Sequence, residues 1–204
     1  MPDEEQITIT KGPNEGAFQT VTVTQSQLVF WRNEDTEAHW PSFPSQPQIG
    51  PRFQVGPGDN SDNFQPVSSG GAIPTGQTVK VNYGCKIQGH GAETGLILVV
   101  ADFIEAPQPA GSVYNQLTNG TVGVAYSPVV LTSGGLAPYT HTLSDAVTPQ
   151  GLTITNEAAG VTVGGTPTQA GDSFAFTVHC KDALENRVDQ TYTLTVVSGP
   201  ATAT

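Results

Sequence analysis

The chain has 204 residues, of which 18 are acidic and 7 basic, for a formal net charge of -11. So few basic side chains, thinly spread, cannot build a phosphate-tracking patch, which argues against nucleic-acid binding. No window approaches the roughly 18 consecutive apolar residues of a membrane-spanning helix.

Glycine (23) and proline (16) are abundant, as in short strands joined by tight turns. Met1-Pro2-Asp3-Glu4-Glu5 is acidic and has no apolar h-region, so it is not a signal peptide. The composition is that of extracellular β-modules, so the expected location is the periplasm, the cell surface or the extracellular space, with a leader already removed. Only Cys85 and Cys180 carry thiols. One disulfide is arithmetically open, but no disulfide framework is indicated.

Residues 6–10 alternate as a first strand. Thr20–Thr24 and Gln27–Arg32 follow, with Val29 and Trp31 on one face of the latter and Leu28 and Phe30 on the other. Residues 41–77 are rich in Pro, Gly, Ser, Asn and Asp and show no sustained period, so they form a functional loop or hide short strands. Thr78–Tyr83 alternates, and Gly95–Ala101 is a continuous apolar strand. Residues 105–111 have linker composition. Strands are then expected at 112–117, 124–132, 138–143, 151–155, 161–164, 173–180 and 190–197, separated by Gly, Pro and Asn turns at sandwich spacing. Asp182–Asn186 reads as a turn, and 199–204 as a small polar tail. No helix is expected.

Two stretches carry metal chemistry. The first is Phe30-Trp31-Arg32-Asn33-Glu34-Asp35-Thr36-Glu37-Ala38-His39-Trp40, a strand, a polar turn and an imidazole. The second is Tyr83-Gly84-Cys85-Lys86-Ile87-Gln88-Gly89-His90-Gly91-Ala92-Glu93-Thr94-Gly95, in which a strand delivers a thiol and a glycine-containing loop an imidazole. A thiolate and two imidazoles suit copper in a trigonal plane with a weak donor above it. Zinc is the rival metal, since a Cys-His-His set with a carboxylate also suits a tetrahedral ion.

These stretches resemble the cupredoxin family of blue-copper proteins over roughly residues 5–103. The pattern W-x-N-x-D-x-x-x-H is met by Trp31, Asn33, Asp35 and His39, and Tyr83, Cys85, His90 and Gly95 meet the second pattern. The resemblance implies a Greek-key β-sandwich with one mononuclear copper site on His39, Cys85 and His90, and electron transfer through it. The family usually places Met two residues before the Gly that opens the last strand, and here Glu93 stands there. Glu93 is the first choice for a fourth ligand, ahead of Thr94, a backbone carbonyl near Ala38, or water. A carboxylate favours Cu(II), so a lower reduction potential and a weaker or red-shifted thiolate band are expected than with Met. Glu34, Asp35 and Glu37 read as a solvated turn or as a docking patch for a basic redox partner. Cys180 reads as core, and His141 and His179 as structural or surface residues.

Residues 112–197 resemble the Ig-like, cadherin-like repeats of bacterial surface proteins. The matching residues include Gly123-Val124-Ala125-Tyr126, Gly134-Gly135-Leu136-Ala137-Pro138-Tyr139, Gly164-Gly165-Thr166-Pro167 and Phe174-Ala175-Phe176-Thr177-Val178. Such repeats act as spacers or adhesive modules, here within a larger surface assembly. Asp145, Asp172 and Asp182 lack the spacing of a calcium loop. Asn119-Gly120-Thr121 is a formal glycosylation sequon.

The expected fold is therefore all-β: a cupredoxin-like sandwich over 1–104, a linker at 105–111, an Ig-like sandwich over 112–198 and a tail. The expected function is an extracytoplasmic copper-binding, electron-transfer module on an Ig-like spacer. The alternatives are a metal-free structural or adhesive surface protein, or a small copper enzyme with an open site. Four histidines cannot supply a multicopper cluster beside the first site.

Overall fold

A computed structural model describes residues 4–10, 17–46, 49–66, 72–106, 115–144 and 148–199. It is all-β, with no helix among the described residues. The chain divides into two compact units, Met1–Asp102 and Phe103–Thr204.

In the first unit, β1 (Glu4–Ile9) runs parallel to β3 (Leu28–Asn33), with Ile7 opposite Trp31 and Ile9 opposite Asn33. A second sheet hydrogen-bonds β2 (Ala17–Thr24), β6 (Thr94–Val100), β5 (Thr78–Cys85) and β4 (Pro41–Ser42) in that order. Strand alternation decides what is buried. Val29, Trp31 and Asn33 point inward from β3, and Val81, Tyr83 and Cys85 from β5. Val29, Trp31, Val81 and Tyr83 make one core with Ile7, Ile9, Val23, Ile97 and Val99, in which the Trp31 ring stacks on Phe64 at 4.6 Å.

The aperiodic stretch 41–77 is tied to this framework by isolated bridges. Val29 pairs with Phe64, Arg32 with Asn60, and His39 with Val55. Close packing also explains the glycine near the start of β6: a Cβ on Gly95 would run into the Tyr83 ring.

In the second unit, β11 (Thr140–Ser144), β14 (Gly171–Lys181), β15 (Arg187–Val197) and β8 (Gly120–Thr121) form one sheet. β12 (Leu152–Glu157), β13 (Gly160–Gly165) and β9 (Tyr126–Val130) form another. A short pair joins β7 (Ile104–Glu105) to β10 (Thr132–Ser133). Phe174, Phe176, Val178 and Cys180 alternate inward from β14 and meet Tyr192, Leu194, Val196, Leu131, Val161 and Val163. The buried phenols keep partners, as burial requires: Tyr192 donates to the Leu131 carbonyl and Tyr139 to that of Gly134.

The two units divide between Asp102 and Phe103, while the expected first domain runs to 104; Ile104 and Glu105 pair with β10 and Ala106 is buried. Residues 107–111 of the expected linker, and 200–204 of the tail, lie outside the described residues. Of the strand expected at 112–117, the described part makes a single bridge from Gln116 to Thr193, and the short strand falls instead at 120–121. Asp182 does cap a turn, accepting from the backbone N–H groups of Leu136, Leu184 and Asn186.

Cys85 and Cys180 are both free and buried, and they belong to different units. Burial, helped by the nearby Asp189 charge, pushes the Cys180 thiol from its ordinary 9.0 up to about 11. Unfolding above pH 9 therefore releases a proton that the folded state holds. This contribution is intact below pH 9 and fades as pH climbs toward 11. Chemical denaturation between these values should show falling stability of the second unit, with a shallower fall in Cys180→Val. An identical slope in the variant would refute the assignment. Tyr126 and Tyr139, also raised by burial, supply the remaining slope.

Candidate metal centre

The site is built at one end of the first unit by two loops. The first follows β3. Asn33 is fully buried, and its side-chain N–H groups donate to the carbonyls of Glu37 at 2.7 Å and Val55 at 2.9 Å. Its side-chain oxygen accepts from the Asp35 N–H. The loop 33–39 is thereby folded back, and His39 enters a two-way backbone bridge with Val55.

The second loop joins β5 to β6. The Cys85 N–H donates to the Glu93 carbonyl, and two turns close inside it, His90 N–H to Ile87 and Glu93 N–H to His90. Gly89 takes a φ of 95°, a left-handed conformation that suits glycine. Gly84, before the thiol, packs its α-carbon close to the Glu93 carbonyl.

The two loops bring His39, Cys85, His90 and Glu93 together, with one donor atom from each lying within 4.8 Å of the others. His39 Nδ1 lies 2.9 Å, and His90 Nδ1 3.2 Å, from the same Glu93 carboxylate oxygen. The rings are 5.2 Å apart, edge to face. His39 is 2 % exposed while His90 keeps 17 %, so His90 is the solvent-side imidazole. Its Nε2 faces the exposed Glu37 carboxylate at 3.6 Å.

Burial raises the Cys85 thiol above its ordinary range, opposed by backbone hydrogen bonds from Trp40 and Ile87 and reinforced by the Glu93 charge. The Trp40 N–H lies 3.3 Å from the sulfur. The Lys86 ammonium sits 3.3 Å from the centre of the Trp40 ring, whose own N–H donates to the Pro51 carbonyl. Phe18 packs against His39 at 5.9 Å and stacks on Tyr83 at 5.5 Å, walling the inner side of the cluster.

A soft thiol, two imidazoles and a carboxylate, half of them buried and all converging, are a donor set that suits copper or zinc. Glu93, the first choice for a fourth ligand, lies among these donors, next to Thr94 at the start of β6.

Asp35 departs from expectation. Its place in the sequence, with Glu34 and Glu37, points to a solvated turn or a docking patch. Its side chain is only 8 % exposed, and it meets His39 Nε2 at 3.0 Å. The signal was its four-residue offset from His39 in a turn pinned by Asn33, which alternation alone does not reveal. His141 and His179 lie in the second unit, apart from this cluster.

A protein-family model described as "Putative Ig domain" matches residues 109–197. No curated protein matches the chain by sequence. Solved structures similar to the chain include the tandem Ig domains of titin, at 12% identity and a TM-score of 0.39, covering 89% of this chain and 94% of that one. SporoSAG from Toxoplasma gondii is 12% identical with a TM-score of 0.39, covering 92% of this chain and 99% of that one. A Cu-containing nitrite reductase from Thermus scotoductus SA-01 is 13% identical with a TM-score of 0.33, covering 96% of this chain and 62% of that one. The match over 109–197 falls within the second unit and supports an Ig-like reading of that part of the chain.

Proposed function

We propose that the chain is an extracytoplasmic surface protein in which an Ig-like structural or adhesive domain accompanies a cupredoxin-type module that binds one copper ion. The carrying observation for copper is the convergence of His39, Cys85, His90 and Glu93. The family match bears on the Ig-like part alone.

When bound, copper would supply one-electron exchange between Cu(II) and Cu(I). The residues have distinct tasks in that reading. Cys85 gives up its proton on metal binding, and the Trp40 and Ile87 N–H groups stabilise the resulting thiolate. Asp35 is a hydrogen-bond acceptor only, so it calls for hydrogen on His39 Nε2 and leaves Nδ1 as the ligand atom. Glu93 is a hard donor and favours the oxidised ion. His90, the more exposed ring, is the path to a redox partner, and the acidic surface suits a basic one.

A second reading is a metal-free structural or adhesive surface protein. It is favoured by the Ig-like match and by the fact that both ring nitrogens of His39 already have carboxylate partners. The comparisons back this reading more than they back copper.

Stoichiometric Cu(II) added to the metal-free protein should produce an intense visible thiolate band and a mononuclear EPR signal, both lost in Cys85→Ser. Absence of copper uptake would leave the metal-free reading. Asp35→Asn, which keeps the shape but weakens the acceptor, should lower copper affinity by about 10–100-fold in a competition titration. Unchanged affinity would remove Asp35 from the site.

A further inference from the structure

The outward face of the sheet β11-β14-β15-β8 aligns three polar side chains from three adjacent strands. His179 lies in β14 between the buried Val178 and Cys180, so alternation turns it outward. Its cross-strand neighbours are Thr142 on β11 and Asp189 on β15. Ser144, two residues beyond Thr142, shares that face and reaches His179 diagonally.

The Ser144 hydroxyl lies 2.8 Å from His179 Nε2, and His179 Nδ1 lies 2.9 Å from an Asp189 carboxylate oxygen. A carboxylate only accepts, so the hydrogen of the neutral ring resides on Nδ1. Nε2 then carries the lone pair, and the Ser144 hydroxyl must donate to it. The order is nucleophile, base and orienting carboxylate, which is recognised by geometry and role rather than by chain order. His179 is 41% and Asp189 55% exposed, so the row is open to solutes. A hollow of about 350 Å³ borders His179 and Asp189 and is walled by Thr140, Thr142, Lys181 and Arg187, while Ser144 lies outside its lining, at the other ring nitrogen.

We propose that Ser144, His179 and Asp189 form an acyl-transfer site for small activated carboxylic esters. Ser144 Oγ bonds to the carbonyl carbon while His179 Nε2 takes the hydroxyl proton. The bond from that carbon to the leaving oxygen then breaks, and the leaving group departs with the proton from Nε2. Water attacks the acyl-serine by the same route in reverse, releasing the acid and restoring the hydroxyl. Asp189 is a positioning residue that holds the ring in its tautomer. The expected assistance is that of a general base alone, on the order of a hundredfold. The site belongs to the Ig-like domain and is independent of the copper reading.

The full chain incubated with p-nitrophenyl acetate, followed by peptide mass spectrometry and by phenolate release, tests the proposal. The expected result is an acetyl group on Ser144, absent in Ser144→Ala. His179→Gln should slow Ser144 acetylation by about a hundredfold. Asp189→Asn should slow it too and Asp189→Glu restore part of the rate, while the thermal midpoint of unfolding stays unchanged. Acetyl groups on lysines alone, no acetylation, or Ser144 labelling indifferent to His179→Gln would overturn it.

Discussion

The fully buried Asn33 carboxamide ties the loop that follows β3 to the backbone at Val55. Its donors hold the carbonyls of Glu37 and Val55, and its acceptor takes the Asp35 N–H. Removing it would take these partners from the Glu37 carbonyl and the Asp35 N–H, each at a cost of roughly 1–3 kcal/mol, while the Val55 carbonyl would keep the His39 N–H. The direction of the loop from β3 depends on it, and so do the seating of His39 against Val55 and the approach of Asp35 to the ring. The second loop has a simpler constraint. The β5–β6 register, continued by the bond from Cys85 N–H to the Glu93 carbonyl, brings the thiol and Glu93 together. The donors are thus placed by backbone pairing and one buried amide before any ion arrives, which is the preorganisation a metal site requires.

The same cluster is also self-consistent without a metal. One Glu93 carboxylate oxygen lies within hydrogen-bond distance of both imidazoles, Asp35 meets the far side of His39, and burial favours the protonated thiol. Metal binding would therefore exchange a satisfied hydrogen-bond network for coordination bonds, and it would be pH-dependent because protons must leave. An Ig-like domain follows in the chain, and fold alone assigns it no chemistry. Any activity there must be argued from its own surface, as for the row across β11, β14 and β15.

Much of this was legible in the residues. Alternation in β3, β5 and β14 gave the buried faces, because one side of each strand packs on a core. His39, Cys85, His90 and Glu93 were legible because two strands flank their loops and the spacing is short. Strands of two residues, such as β7, β8 and β10, leave no period to read. The 41–77 stretch was opaque because the pairing of its described residues is a two-residue strand on β5 and isolated bridges to Val29, Arg32 and His39. Asp35 and Asn33 were hidden for a similar reason, since their roles depend on the three-dimensional path of the turn. The Ser144–His179–Asp189 row arises from cross-strand register, which a linear pattern does not display.

The central claim is that one metal ion is shared by four named side chains. Copper K-edge X-ray absorption on the loaded full chain addresses it directly. The account predicts a first shell containing one sulfur, two imidazole nitrogens and a light-atom scatterer, with the sulfur lost in Cys85→Ser and the light atom altered in Glu93→Gln. A shell of nitrogen and oxygen alone, unchanged by either substitution, would place the metal elsewhere and contradict it.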